Sequence, residues 1–245
     1  MSALMTDIIV VGFNQPEFEA NTLKAVIAHT ARGTYRLTYA QNMPGYSLAK
    51  FWNELIEMSP CEYICLLNPD TVPTNGWLDS LWFTLTNEHN VGAVVPSSNI
   101  VQWSVVTPPF PREETSWAKM NAFAATLKPE VVEGPVLSAT CIMFSKHNWA
   151  MAGKFDEEFV LYGEDTEFTW RLRNRYGKRL LWQKGAYVHH YKAQCVEKAV
   201  QDGALNYEQC RLTAMALMER KTGCANGATG MVADWKNAKG VRYGG

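Results

Sequence analysis

The sequence predicts an α/β fold: a mostly parallel sheet flanked by helices, continued by a helical C-terminal extension. Two observations carry this. Short β-branched runs alternate with segments of helical apolar spacing through the first hundred residues, the pattern of strands joined by crossover helices. Two of those runs also stop abruptly at polar turn residues, Asn14-Gln15-Pro16 and Asn68-Pro69-Asp70. In such sheets ligands bind beyond the carboxyl ends of the strands.

The first strand is read at Asp7 to Asn14, an unbroken apolar stretch of the kind buried on both faces. Pro16 and Glu17 suit a first helical turn, and Phe18, Leu23, Val26 and Ile27 give that helix an apolar face. Tyr35 to Ala40 is a second strand, Ser47 to Met58 a second helix, and Tyr63 to Leu67 a third strand. Asn75-Gly76-Trp77 turns into a helix reaching Asn87, and Val91 to Val95 is a fourth strand. Residues 97–135 hold five prolines and read as an irregular insertion with a short helix around Ser116 to Leu127, a possible lid or acceptor wall with Trp103 and Trp117. Val136 to Phe144 reads as a strand, Gly163 to Arg175 as a helix, Arg179 to Trp182 and Ala186 to His190 as two short strands, and Gln194 to Lys221 as largely helical. The division expected is a main domain over 1–192 and a helical extension with a loose tail over 193–245.

With 47% hydrophobic and 19% charged residues the chain can bury a sizeable core. A formal net charge of −1 supplies no basic stripe for a phosphate backbone, which disfavours nucleic acid as a partner. No stretch approaches the roughly 20 apolar residues of a membrane span, and the first residues lack the pattern of a secretory signal. The six cysteines mostly sit in apolar runs and read as reduced core residues in a cytoplasmic setting.

Three constellations carry chemistry. Leu66-Leu67-Asn68-Pro69-Asp70-Thr71 puts a carboxylate just past a buried strand, where it can hold Mg²⁺ or Mn²⁺ together with substrate phosphates, or simply cap a turn. In Phe155 to Phe168, Glu164 and Asp165 follow the apolar run Phe159 to Tyr162. Helix-start electrostatics explain acids near a cap; apolar walls beside a carboxylate also raise its proton affinity, as a general base requires. In Ala186 to His190, strand alternation sends His189 and His190 to opposite faces, so only one of them can serve a given site.

In order as well as content, these segments resemble the GT-A-fold glycosyltransferases of family 2, including rhamnosyl- and galactofuranosyltransferase-like members, over about Ile8 to Lys192. The matching pieces are Val10 to Glu17, Asn42 to Asn53, Leu67 to Asp70, Gly153 to Phe159 with Gly163-Glu164-Asp165, and Val188-His189-His190. The resemblance implies a GT-A (Rossmann-like) domain and inverting, divalent-metal-dependent transfer from a UDP-, dTDP- or GDP-sugar to an acceptor hydroxyl. It makes Asp165 the general base and Glu164 the acceptor-positioning residue. Asp70 and His190 become the Mn²⁺ or Mg²⁺ ligands, with His189 as the fallback, and Phe13, Asn14, Gln41, Asn42 and Asn68 lie near the nucleotide. The acceptor implied is a glycan, with a lipid-linked sugar, a protein or a modified nucleic-acid base left open. Two departures stand out. No acid follows the second strand, where Gln41 and Asn42 are the candidates to stand in for it, and Ala139 stands where a glycine is common. A sugar nucleotidyltransferase would be expected to show a Gly-rich phosphate loop, which Gly12-Phe13-Asn14-Gln15 is not. The remaining alternative is a non-catalytic nucleotide-sugar or glycan binder.

Overall fold

The computed structural model describes residues 6–100, 110–191, 200, 206–227 and 229–232. Trp103, Cys195 and most of the stretch expected to be helical before residue 206 fall outside these residues.

Among the described residues eight strands form one sheet: β1 (Thr6–Gly12), β2 (Tyr35–Gln41), β3 (Tyr63–Leu67), β4 (Thr71–Pro73), β5 (Val91–Ser97), β6 (Val131–Glu133), β7 (Cys141–Ser145) and β8 (Arg179–His190). Their order is β2-β1-β3-β7-β5-β8-β4, with β6 also paired to β8. β1 runs parallel to β2 and β3, and β5 runs parallel to β8, while β7 lies antiparallel to both β3 and β5. β2, β1, β3, β5 and β8 therefore share one direction, and only β7, β4 and β6 oppose it. The result is a mixed α/β fold with a mostly parallel central sheet.

Strand alternation divides the core into two layers. Ile8 and Val10 of β1 face one cluster with Val26 of α1 (Pro16–His29) and Trp77, Leu78 and Leu81 of α3 (Trp77–Asn87). Ile9 and Val11 face the other, with Trp52 and Ile56 of α2 (Leu48–Met58), Trp149 of α5 (Lys146–Met151) and Phe168 and Leu172 of α6 (Glu164–Asn174). α4 (Trp117–Ala124) lies in the insertion, and α7 (Tyr207–Thr222) lies against α6, with its Ala214 and Met218 in one cluster with Phe159 and with Trp170 of α6. Burying side chains such as Trp77 and Phe168, both fully enclosed, contributes about 1.5–3 kcal/mol each.

Several sequence expectations need correction. Residues 136–140 are not strand; β7 begins at Cys141. The backbone N–H groups of Leu137 and Ala139 donate to side chains of α6 (Thr169 Oγ1 and Asp165 Oδ2) rather than to a neighbouring strand. The two short strands expected at 179–190 are one, with its register against β5 shifting between Pro96 and Ser97. Gly185 sits at that irregularity, where a Cβ would lie 2.7 Å from the Pro129 backbone. Two three-residue strands, β4 and β6, went unread, and β6 shows that the end of the proline-rich insertion belongs to the sheet. Cys61, Cys65 and Cys141 are buried as expected, while Cys210 and Cys224 are only half-buried.

Candidate active site

The candidate residues gather at the carboxyl edge of the sheet. Phe13 and Asn14 leave the end of β1; Gln41, which pairs with Gly12, ends β2; and Asn42 donates its backbone N–H to Gly12 O at 2.9 Å. Asn14 has a φ of 53°, a left-handed geometry that Asn tolerates better than most side chains. The turn is held from beneath by Glu19 of α1, whose Oε1 accepts from Phe13 N at 2.9 Å and Gln15 N at 3.0 Å.

The next turn, Asn68 to Asp70, leaves β3 beside β1. Its shape is set by another α1 side chain, Thr22. That fully buried hydroxyl lies 2.7 Å from both Pro69 O and Thr71 O and accepts from Thr71 N at 3.0 Å. Asn68 donates its N–H to Thr140 O at 2.9 Å, which joins this turn to the loop ahead of β7.

Asp70 immediately precedes β4, and β4 lies antiparallel to the end of β8 with Thr71 opposite His190. That register brings His190 Nε2 to 3.2 Å from Asp70 Oδ1, with both side chains buried. His190 Nδ1 lies 3.2 Å from Ile100 O. A carbonyl only accepts, so Nδ1 carries the hydrogen and Nε2 is the atom turned to the carboxylate. Nε2 is buried and makes no hydrogen bond among the described residues. Asn99 brackets the histidine backbone, accepting from His190 N at 2.8 Å and donating to His190 O at 3.2 Å. His189 faces the other way: its Nε2 lies 3.0 Å from Arg112 O and its Nδ1 3.1 Å from the Tyr187 hydroxyl, and burial lowers its proton affinity.

Among the described residues no group of three or more His, Cys, Asp or Glu side chains gathers as a metal centre. The Asp70–His190 pair nevertheless fits two ligands of one hard cation. Adjacent ligands about 2.1 Å from an octahedral ion stand about 3 Å apart, close to the 3.2 Å observed. The unsatisfied Nε2 is the orphaned buried atom such a cation would serve.

Glu164 and Asp165 open α6 after Tyr162 and Gly163, both at positive φ. Asp165 Oδ1 accepts from Thr166 N at 2.6 Å, and Oδ2 accepts from Ala139 N at 2.8 Å. Ala139 thus contributes its backbone N–H, and its methyl group lies in the apolar core. Since Thr140 in turn holds Asn68, the Asp165 and Asp70 turns belong to adjoining loops. Glu164 is different: its Oε2 is buried without a hydrogen-bond partner among the described residues. Burial, with the Asp165 charge beside it, pushes the Glu164 carboxyl up to about 8. Burial raises Asp165 too, while the donors from Ala139 and Thr166 pull it back down. The two neighbours therefore differ in their partners: Asp165 is pinned by two backbone donors, while Glu164 is buried with no hydrogen bond at Oε2 among the described residues.

Sequence reasoning missed Glu19, Thr22 and Asn99. An acid in a first helical turn reads as a macrodipole partner, and nothing local marks the other two. Gly12 was the one available hint, because a Cβ there would lie 2.7 Å from the Glu19 carboxyl.

This sheet with its flanking helices and C-terminal helices defines a GT-A, Rossmann-like arrangement. Among solved structures, the chain is similar to the crystal structure of GalNAc-T7 with UDP, GalNAc and Mn²⁺, with a TM-score of 0.58 and 14% identity, covering 77% of this chain and 44% of that one. The likeness is one of fold, and the chain spans less than half of that protein's length. No protein-family model and no curated protein matches the sequence. No helix among the described residues is long and apolar enough to cross a membrane.

Proposed function

We propose that the chain is an inverting glycosyltransferase of the family 2 type that moves a sugar from a nucleotide-diphosphate donor to an acceptor hydroxyl, with a glycan as the acceptor class. The observation that carries the reading is the meeting, on adjoining loops of one sheet edge, of the pinned Asp165 carboxylate with the Asp70–His190 pair.

Asp165 Oδ2 has one protein donor and keeps a lone pair for the acceptor O–H. As the acceptor oxygen bonds to the anomeric carbon, its proton passes to Asp165 and the carbon–diphosphate bond breaks on the opposite face. General base catalysis of this kind contributes typically 10²–10⁴-fold. Protonated Glu164 offers an acceptor sugar a neutral hydrogen-bonding group without a second negative charge. Asp70 and His190 would hold Mn²⁺ or Mg²⁺, which when bound supplies charge neutralisation to the leaving diphosphate; the remaining ligands would be phosphate and water oxygens. Phe13, Asn14, Gln41, Asn42 and Asn68 flank the donor nucleotide. The described part of the insertion serves as an acceptor wall, being anchored by Arg112 Nε to Tyr191 O at 2.6 Å and by Asn75 N to Asn121 Oδ1 at 2.8 Å. The main domain over 1–192, the extension beyond it and a cytoplasmic setting belong to the same proposal.

The test is a screen of UDP-, dTDP- and GDP-sugars for Mn²⁺-dependent hydrolysis or transfer. Turnover of one donor that Asp165→Asn abolishes supports the enzyme. Binding with no turnover of any donor leaves only the binder.

A further inference from the structure

We infer that Tyr207 and Met218 of α7 are positioning residues: they hold the left-handed turn Tyr162–Gly163 that leads into Glu164 and Asp165, which makes the C-terminal extension a working part of the acid-pair end of the site. The inference rests on the transfer reading above and adds to it residues that lie beyond the main domain.

The turn needs holding. Tyr162 has a φ of 68° and Gly163 a φ of 90°. Glycine adopts that geometry readily, but a bulky side chain does so only where its surroundings over-determine it. Released, Tyr162 would return to negative φ. That change falls two residues before Glu164 and three before Asp165. It would redirect the first turn of α6, which carries both acids.

The hold comes from two directions. Upstream, Ser47 Oγ donates to Phe159 O at 3.0 Å and Leu48 N donates to Val160 O at 3.1 Å, so the start of α2 secures the chain as far as Val160. At the turn itself α7 takes over. The Tyr207 ring meets the Tyr162 ring edge-on, with centroids 5.5 Å apart at 80°. A Cβ built on Gly163 would lie 3.2 Å from Met218 Cε and 3.0 Å from Phe159 Cε1, so the Met218 methyl sits against the backbone of the turn. Met218 is buried in one cluster with Phe159, and Tyr162 packs on that cluster. Lys221 and Arg220 also pair with Glu158, and Lys221 with Asp156. Ion pairs open to solvent contribute little, so the hold is assigned to the apolar contacts. Burial, with Tyr207 and Glu164 beside it, raises the Tyr162 phenol well above its usual range, and the ring stays neutral.

The experiment measures kcat of the full chain with the donor that turns over in the screen above, and by calorimetry the affinity for the nucleoside diphosphate of that donor. Misplacing reacting groups by about 1 Å costs on the order of 10²-fold. Met218→Ala should therefore lower kcat on the order of 10²-fold and Tyr207→Ala about tenfold or more, with diphosphate affinity within about twofold of wild type. Tyr207→Phe keeps the ring and Met218→Leu keeps the volume, so both should retain kcat within about threefold. Met218 is buried and its alanine variant can fail to fold; Tyr207 is 43% exposed, and the Tyr207→Ala and Tyr207→Phe pair is decisive by itself. Unchanged kcat in Tyr207→Ala, an equal loss in Tyr207→Phe, or a matching loss of diphosphate affinity overturns the inference and leaves the glycosyltransferase reading intact. Absence of turnover of every donor by wild type overturns both.

Discussion

Two buried glutamates, one on each side of the site, have been put to opposite uses. Glu19 beneath the turn after β1 is 2% exposed and Glu164 at the start of α6 is 5% exposed. Glu19 is surrounded by four donors, whereas Glu164 Oε2 has none among the described residues. Burial alone therefore does not decide what a carboxylate does. Where donors replace the lost water, the group becomes a fixed scaffold; where they do not, it takes up a proton.

Breaking the proton-handling side at its centre should have the largest effect. Asp165→Asn keeps the shape but loses the base, and transfer should fall on the order of 10²–10⁴-fold while calorimetry shows unchanged nucleotide diphosphate affinity. Next comes pH. Because the folded Glu164 carboxyl is raised from 4.5 to about 8, the native state holds a proton that the unfolded chain releases. That contribution is complete below about 4.5 and is lost as pH rises toward about 8. Glu164→Gln should abolish it, so chemical denaturation at pH 5 and pH 9 should show wild type weakening by up to a few kcal/mol more than the variant. Asn99→Ala frees the backbone of His190 and, if the proposed Asp70–His190 cation site holds, should reduce apparent Mn²⁺ affinity about 10- to 100-fold, measured by Mn²⁺ titration of nucleotide binding. The smallest effect sharpens the scaffold claim. Gly12→Ala pushes a methyl group against Glu19 and should lower stability by about 1–3 kcal/mol, measured by chemical denaturation. An unchanged stability would mean that Glu19 is not packed against Gly12 as a fixed scaffold.

The main strands were legible because their residues are apolar and β-branched over enough length to announce themselves, as in β1 and β3. The apolar stretch from Val136 misled for an instructive reason. Val136 and Leu137 are buried, but their loop spends N–H groups on α6 side chains instead of on a ladder. The acid pair at 164–165 was visible by type, yet its division into a pinned and a bare member depends on Ala139, 26 residues earlier in the chain. That His189 and His190 part company followed from strand alternation. That His190 reaches Asp70 did not, because the link is β4, three residues including a proline, too short for any periodicity to register. Thr22 and Asn99 were silent for the same reason: their partners are backbone atoms 47 and 91 residues away.

β4 also sets how little change of chain length the Asp70–His190 pairing tolerates. Asp70 abuts the strand with no intervening residue, and Thr71 is registered directly on His190. Inserting or deleting a single residue there would slide the ladder one step and present the opposite face of the strand, parting Asp70 from His190 at once. A change of length in a loop away from this junction leaves that register as it is, so the spacing from Asp70 into β4 is the part of the arrangement that a one-residue insertion would disturb most directly.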